Sequence, residues 1–192
     1  RPYFSPNSRD VLYVAKKENN EFLVLNGKEG KRYRVIIDDP IFSPDSLHIA
    51  YNADGVIVLD DKEFKISDKI KTSDISSVTK SIFFSPDSKK LAFIKGQQPS
   101  KNNAVILLDV VTGQMQEGPK FQYIRLPITF SPDSKRIGYA GYEVSNTVNE
   151  FAVIDGTRGK SYSRISSMAF SNDGKHSAYG AITHSGECIL VV

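Results

Sequence analysis

One short phrase occurs five times in the 192 residues and constrains the fold more than anything else in the chain. The copies are Phe4-Ser5-Pro6-Asn7-Ser8, Phe42-Ser43-Pro44-Asp45-Ser46, Phe84-Ser85-Pro86-Asp87-Ser88, Phe130-Ser131-Pro132-Asp133-Ser134 and the altered Phe170-Ser171-Asn172-Asp173-Gly174. Their phenylalanines stand 38 (4 to 42), 42 (42 to 84), 46 (84 to 130) and 40 (130 to 170) residues apart. A period near 40 over the whole length describes a repeat protein in which each copy is one supersecondary unit. Within the phrase, proline presets φ for a tight turn, Asp or Asn bonds the local backbone, and Ser or Gly closes the turn.

The residues around each turn read as strands. An apolar strand ends at the phenylalanine. After the turn come Val11 to Val14, Ile49 to Tyr51, Leu91 to Ile94, Ile137 to Tyr139 and Ser177 to Tyr179, where a small residue (Ala50, Ala92, Gly138, Ala178) stands beside an aromatic. Such small/large alternation suits closely packed sheet faces. A third, continuously apolar strand follows at Phe22 to Leu25, Val56 to Leu59, Val105 to Leu108, Phe151 to Ile154 and Ile189 to Val192. Turn signals at Asn26-Gly27, Asp60-Asp61, Thr112-Gly113 and Asp155-Gly156 lead to a fourth, more polar strand such as Arg32 to Ile37 or Lys160 to Arg164. No segment carries a helical period of useful length. The expected fold is all-β: four-stranded antiparallel blades of a β-propeller, beginning near residues 1, 40, 81, 127 and 167, with the last blade lacking its outer strand.

At these residues the resemblance becomes specific. The FSPDSK phrase and its small-aromatic strand, as in residues 130 to 139, resemble the WD-repeat-like propeller repeat of TolB and of the propeller domains attached to tricorn-type and prolyl-oligopeptidase-type peptidases. The resemblance spans essentially the whole chain. It implies a propeller fold and favours a periplasmic or secreted location, but fold alone does not assign an activity. The WD dipeptide and GH signature are absent, there is no Trp, and Asn172 stands where proline is expected.

Composition narrows the function classes. Lys and Arg number 25 against 22 Asp and Glu, a net charge of +3 with both signs interspersed, so no basic stripe suggests a nucleic-acid partner. No stretch approaches the roughly 18–20 apolar residues that would cross a bilayer, and membrane insertion is not expected. No signal peptide is visible. Cys188 is the only cysteine, which leaves neither an internal disulfide nor a cysteine-based zinc site. At the start of an apolar strand it is expected to be a small buried hydrophobe.

Candidate chemical motifs have plainer explanations. Gly156 to Ser161 resembles a phosphate-binding loop only superficially: two residues separate its glycines where four are required, and a strand follows. No G-x-S-x-G nucleophile elbow occurs. His48 and His176 share a repeat position with Asp10, Lys90 and Arg136, a mixture that describes a solvated strand position; His184 lies in the last loop. Asp38-Asp39 and Asp60-Asp61 lack the spaced ligands of a calcium loop and read as solvated turns. Lys28, Lys31 and Arg32 beside Glu29 form a mixed-charge turn. No catalytic residue, metal ligand or cofactor is assigned.

In a propeller the phrase turns share one face with the Asn-Gly-type turns, and the variable loops share the other. Those loops are 15 to 20, 52 to 54, 94 to 103, 140 to 149 and 180 to 187, joined by the crossovers 38 to 40, 67 to 80, 118 to 127 and 164 to 166. Binding function concentrates on such loops, and aromatic and Arg residues anchor interfaces. Tyr123, Arg125, Tyr142, Glu143 and His184 are the binding candidates, with Tyr123 equally suited to packing between blades. A protein partner is expected. Replacing Tyr142 or Arg125 should weaken its binding without disturbing the fold, and Lys90 should matter to neither. The five phrase phenylalanines are expected to be buried.

Three function classes fit this pattern: an interaction module for a protein or extended ligand, a regulatory or substrate-gating propeller portion of a larger serine peptidase, and a propeller lyase or sugar-acting enzyme. Three histidines at unrelated blade positions argue against the last. Because the final blade offers three strands and the chain opens at Arg1, the sequence is expected to be a portion of a longer chain of about six to eight blades, within the usual propeller range. The competing expectation is five blades with the Ile189 to Val192 edge covered by a strand from a partner.

Overall fold

The computed structural model describes residues 1–66, 82–96 and 101–192. Part of the 94 to 103 loop and all of the 67 to 80 crossover lie outside them. Nineteen strands form five consecutive antiparallel sheets. The first holds β1 (Pro2–Phe4), β2 (Val11–Lys17), β3 (Asn20–Leu25) and β4 (Lys28–Tyr33); the second β5 (Ile41–Phe42), β6 (Ile49–Ala53), β7 (Val56–Leu59) and β8 (Lys62–Lys65). The third holds β9 (Ile82–Phe84), β10 (Lys90–Lys95), β11 (Ala104–Asp109) and β12 (Met115–Glu117); the fourth β13 (Tyr123–Phe130), β14 (Ile137–Val144), β15 (Val148–Ile154) and β16 (Thr157–Tyr162). The fifth has three strands among the described residues, β17 (Arg164–Phe170), β18 (Ser177–Ile182) and β19 (Cys188–Val191). Each sheet runs in chain order, the all-β four-stranded blade expected from the repeat. The chain forms two compact units, Arg1–Phe84 and Ser85–Val192.

The phrase is a self-satisfied turn. In the fourth copy the Ser131 hydroxyl donates to Asp133 Oδ1 at 2.6 Å and accepts from the Arg136 N–H at 2.9 Å, while Asp133 Oδ1 accepts from the Lys135 N–H at 3.2 Å. The other copies repeat this pattern, with Asn7 in the carboxylate's place in the first. The closing residue takes a left-handed conformation: Ser8, Ser46, Ser88 and Ser134 at φ of 60°, 67°, 63° and 62°, and Gly174, which tolerates it without strain, at 71°. That serine also joins neighbouring blades. The Asn7 N–H donates to Ser46 Oγ at 3.1 Å in one unit, and the Asp87 N–H to Ser134 Oγ at 2.9 Å in the other.

These turns carry a pH dependence. The Ser131 hydroxyl and the Lys135 N–H hold the Asp133 carboxyl below the ordinary range, and Ser171 and Lys175 do the same for Asp173. A depressed carboxyl stabilises the fold fully above its unfolded value near 4, and the contribution is lost as pH falls through the lower folded value. Asp133→Asn keeps the acceptor oxygen, as Asn7 does, and removes the charge. Its melting temperature is expected to lie below that of the parent chain at pH 7 and to converge with it near pH 2. A constant difference across that range in thermal melts would refute this account.

Several sequence expectations are corrected. The phrase phenylalanines are not core residues: Phe42, Phe84, Phe130 and Phe170 are half-buried and Phe4 is 71% exposed. The reason shows at Phe170, whose ring lies over Gly138 of the preceding blade and beneath the Arg136 guanidinium, 5.3 Å from its centroid. Phe4 has no preceding blade in the chain to lie on. The outer strands begin earlier than read, at Lys28 and Thr157, because Asn26-Gly27 and Asp155-Gly156 make two-residue turns with both φ values positive. The first strands of the fourth and fifth blades likewise begin at Tyr123 and Arg164, each carrying a register shift partway, and Pro127 sits within the first of these, where it removes no ladder bond.

The core lies between the sheets. Leu12, Leu23, Tyr33, Tyr51, Ala53 and Val58 form one cluster in the first unit; Ala140, Ala152, Tyr162, Ile165 and Ala181 form another between the fourth and fifth sheets. Asp38 is buried, not solvated. Cys188 is exposed, because β19 pairs with β18 alone among the described residues and neither of its faces is covered; Ile189 and Leu190 are exposed beside it.

Candidate functional site

The fourth sheet gathers four of the five binding candidates, and it holds them on strands. Loops 140 to 149 and 118 to 127 are largely consumed by β13, β14 and β15, because these strands pair to their ends around a turn at 145 to 147. Tyr123 stands opposite Tyr142, Arg125 opposite Ala140, and Tyr142 opposite Glu150. Directly opposed residues share a face. The Tyr123 and Tyr142 rings accordingly stack, with centroids 4.7 Å apart and planes at 9°, and the Arg125 guanidinium lies 5.3 Å from the Tyr142 centroid. Burial raises the pKa of the Tyr142 phenol above its ordinary value. All three side chains are half-exposed.

Arg125 is not a free anchor. It pairs with the carboxylate of Glu150, which is 2% exposed and also accepts the Ile165 N–H at 2.7 Å. The expectation that Arg125→Ala would leave the fold intact therefore fails on geometry: the arginine neutralises a buried acid that ties the fourth sheet to the fifth. Val144 and Val148, 46% and 40% exposed, flank the adjacent turn and extend the tyrosine surface. Sequence reasoning missed Glu150, Val144 and Val148. The signal for Glu150 was a charged residue at the head of an otherwise apolar third strand.

Glu143 follows Tyr142 and so points to the opposite face. There it meets Arg158 at 3.3 Å, whose guanidinium lies 3.5 Å from the Phe151 centroid and 5.1 Å from that of Phe121. His184 sits in the β18–β19 turn, its Nε2 3.1 Å from Ser161 Oγ. This is not an activated nucleophile: the Ser161 hydroxyl donates to Asn149 Oδ1 at 3.1 Å, so the imidazole faces the hydroxyl's lone pairs and cannot take its proton.

The repeat position shared by the histidines is paired in the first, second and fourth blades. The Asn26 amide donates to Asp10 at 2.7 Å, His48 Nδ1 is 2.9 Å from Asp60, and Arg136 Nε donates to Asp155 at 2.8 Å. Asp60 thus serves as a turn acid that also accepts the Ile49 N–H at 3.0 Å. In the third blade Lys90 is half-buried, its ammonium donating to the Ser134 carbonyl at 3.2 Å, and it is not the solvated residue expected.

No family profile and no curated protein sequence matches the chain. Solved structures do. Porphyromonas gingivalis dipeptidyl peptidase 4 superimposes with a TM-score of 0.57 at 12% identity, over 98% of this chain and 37% of that one. A Bacteroides ovatus protein assigned as a dipeptidyl aminopeptidase IV gives 0.51 at 12%, over 90% and 32%. TolB from Acinetobacter baumannii gives 0.47 at 17%, over 98% and 48%. The chain spans less than half the length of each. At these identities the likeness concerns the fold, and the fold is that of β-propeller blades.

Proposed function

We propose that the chain is a non-enzymatic propeller module that binds a protein or another extended ligand through the end of its fourth sheet. The observation carrying this reading is the half-exposed stack of Tyr123, Tyr142 and Arg125, continued by the exposed Val144 and Val148. Aromatic and arginine side chains held rigid by a sheet lose little conformational freedom on binding, which is what interface anchors require. Selection of displayed peptides on the 192-residue chain tests it. Selected peptides are expected to bind at least tenfold more weakly to Tyr142→Ala and Val144→Asp, with both variants folded by circular dichroism. Binders indifferent to both substitutions would overturn the reading.

A second reading, a regulatory or substrate-gating portion of a larger serine peptidase, draws support from the likeness to dipeptidyl peptidase 4 over 98% of this chain. A G-x-S-x-G segment in the same open reading frame would favour it.

A further inference from the structure

The opposite face of the fourth sheet borders a second feature, independent of the tyrosine surface. A cleft of about 220 Å³ opens between β10–β12 of the third sheet and β14 of the fourth. Its floor is apolar, formed by Val105, Leu107 and Ile137. At its base lies Tyr139, 3% exposed, whose hydroxyl is buried and has no hydrogen-bond partner among the described residues. Gly118 makes room for it: a Cβ there would collide with that oxygen. A buried unsatisfied hydroxyl costs about 1–3 kcal/mol, so one lining a cleft calls for an acceptor.

The charges around the rim say which acceptor. The two acidic groups are matched by cations: Glu117 by Lys95 at 2.9 Å and Lys120 at 3.7 Å, and Asp155 by Arg136 at 2.8 Å. The two lysines are not matched in the same way. Lys90 makes no ion pair among the described residues and donates only to a backbone carbonyl, and Lys135 reaches only Asp133, at 3.8 Å. Burial raises the pKa of the Tyr139 phenol well above its ordinary value, so it stays a proton donor at any physiological pH.

We propose that this cleft binds a carboxylate carried on a short apolar body, with Tyr139 donating to one oxygen, Lys90 and Lys135 supplying the countercharge, and Val105, Leu107 and Ile137 receiving the aliphatic part. The volume is that of about seven waters at roughly 30 Å³ each, below the usual 300–1,000 Å³ of drug-sized sites, which fits a side-chain-sized group. Such a carboxylate comes either from a free small acid or from the C-terminus of a peptide ending in an aliphatic residue.

The 192-residue chain would be titrated with hexanoate, hexanamide, and a hexapeptide ending in leucine with a free or amidated C-terminus. Amide chemical shifts of Gly118 and Ile137 report occupancy. Hexanoate is expected to bind at least tenfold more tightly than hexanamide. Tyr139→Phe and Lys90→Gln/Lys135→Gln should each weaken it at least tenfold. Tighter binding of the free-carboxyl peptide than of hexanoate assigns the source to a polypeptide terminus, and the reverse assigns it to a free acid. Tyr139→Phe should melt no lower than the parent chain, since it removes an unpaired donor. A lower melting temperature would show that the hydroxyl is already satisfied and would overturn the proposal. So would binding of hexanoate and hexanamide with equal affinity, an affinity unchanged in Tyr139→Phe, or no shift at Gly118 with any of the four probes.

Discussion

Phe121→Ala is expected to destabilise the chain by about 3–5 kcal/mol, the range for truncating a fully buried phenylalanine. The side chain is 1% exposed although it belongs to no strand. Its backbone is pinned to Asn103 by reciprocal bonds of 2.8 and 3.1 Å. Its ring lies so close to Gly141 that a Cβ there would overlap three ring atoms, and its centroid is 6.0 Å from that of Phe151. Truncation would leave a cavity that Gly141 cannot fill. For a chain of this length each kcal/mol shifts the melting temperature by about 2–4 °C, so a loss of roughly 6–20 °C is expected. Phe4→Ala, at 71% exposure, should stay within about ±0.5 kcal/mol. Gly141→Ala approaches the same contact from the other side and should cost about 1–3 kcal/mol by overpacking. If Phe121→Ala melted within 2 °C of the parent chain, the packing between the third and fourth sheets described here would be wrong.

That contrast between two phenylalanines shows where sequence reading succeeds and stops. Strand order was legible because period-2 alternation and turn chemistry are local, and each copy of the phrase repeats the same hydrogen bonds. Burial was not, because it depends on what the neighbouring blade presents. Phe4 and Phe170 occupy one repeat position, yet only Phe170 has a Gly138 beneath it. Phe121 lies in a crossover with no periodicity to mark it. Among the candidate residues, Tyr123, Arg125 and Tyr142 were found by residue type and assigned to loops, since hairpins closed by turns such as Glu18 at φ 57° and Asp54-Gly55 at 47° and 88° leave almost no loop between paired strands. Tyr139 was read as half of a small/large packing pair; that its hydroxyl ends in a cleft follows from Gly118, 21 positions earlier in the chain.

The second large effect is expected at Glu150. Removing one partner of a buried ion pair typically costs about 3–5 kcal/mol, since the remaining charge loses its compensation. Here the half-exposed Arg125 regains some water, which places Glu150→Ala near the lower end, at about 3 kcal/mol. Two further groups are orphaned by that change. The Ile165 N–H, in a buried residue, loses its acceptor, and the Arg125 Nε is already buried without a partner among the described residues. Glu150→Gln separates the two contributions: its amide oxygen still accepts from Ile165 while the charge is gone. Chemical denaturation should therefore rank the variants Glu150→Ala, then Glu150→Gln, then the parent chain in rising stability. If the two variants were equally destabilised, the bond to Ile165 would contribute nothing. If both matched the parent, the buried pair would not join the fourth and fifth sheets as described. Arg125→Ala should likewise lose stability, because it strands the Glu150 carboxylate at 2% exposure. A loss of partner binding in that variant would mix folding with recognition. Tyr142 and Val144 lie on the same surface without a buried charge to support, so substitutions there measure recognition itself.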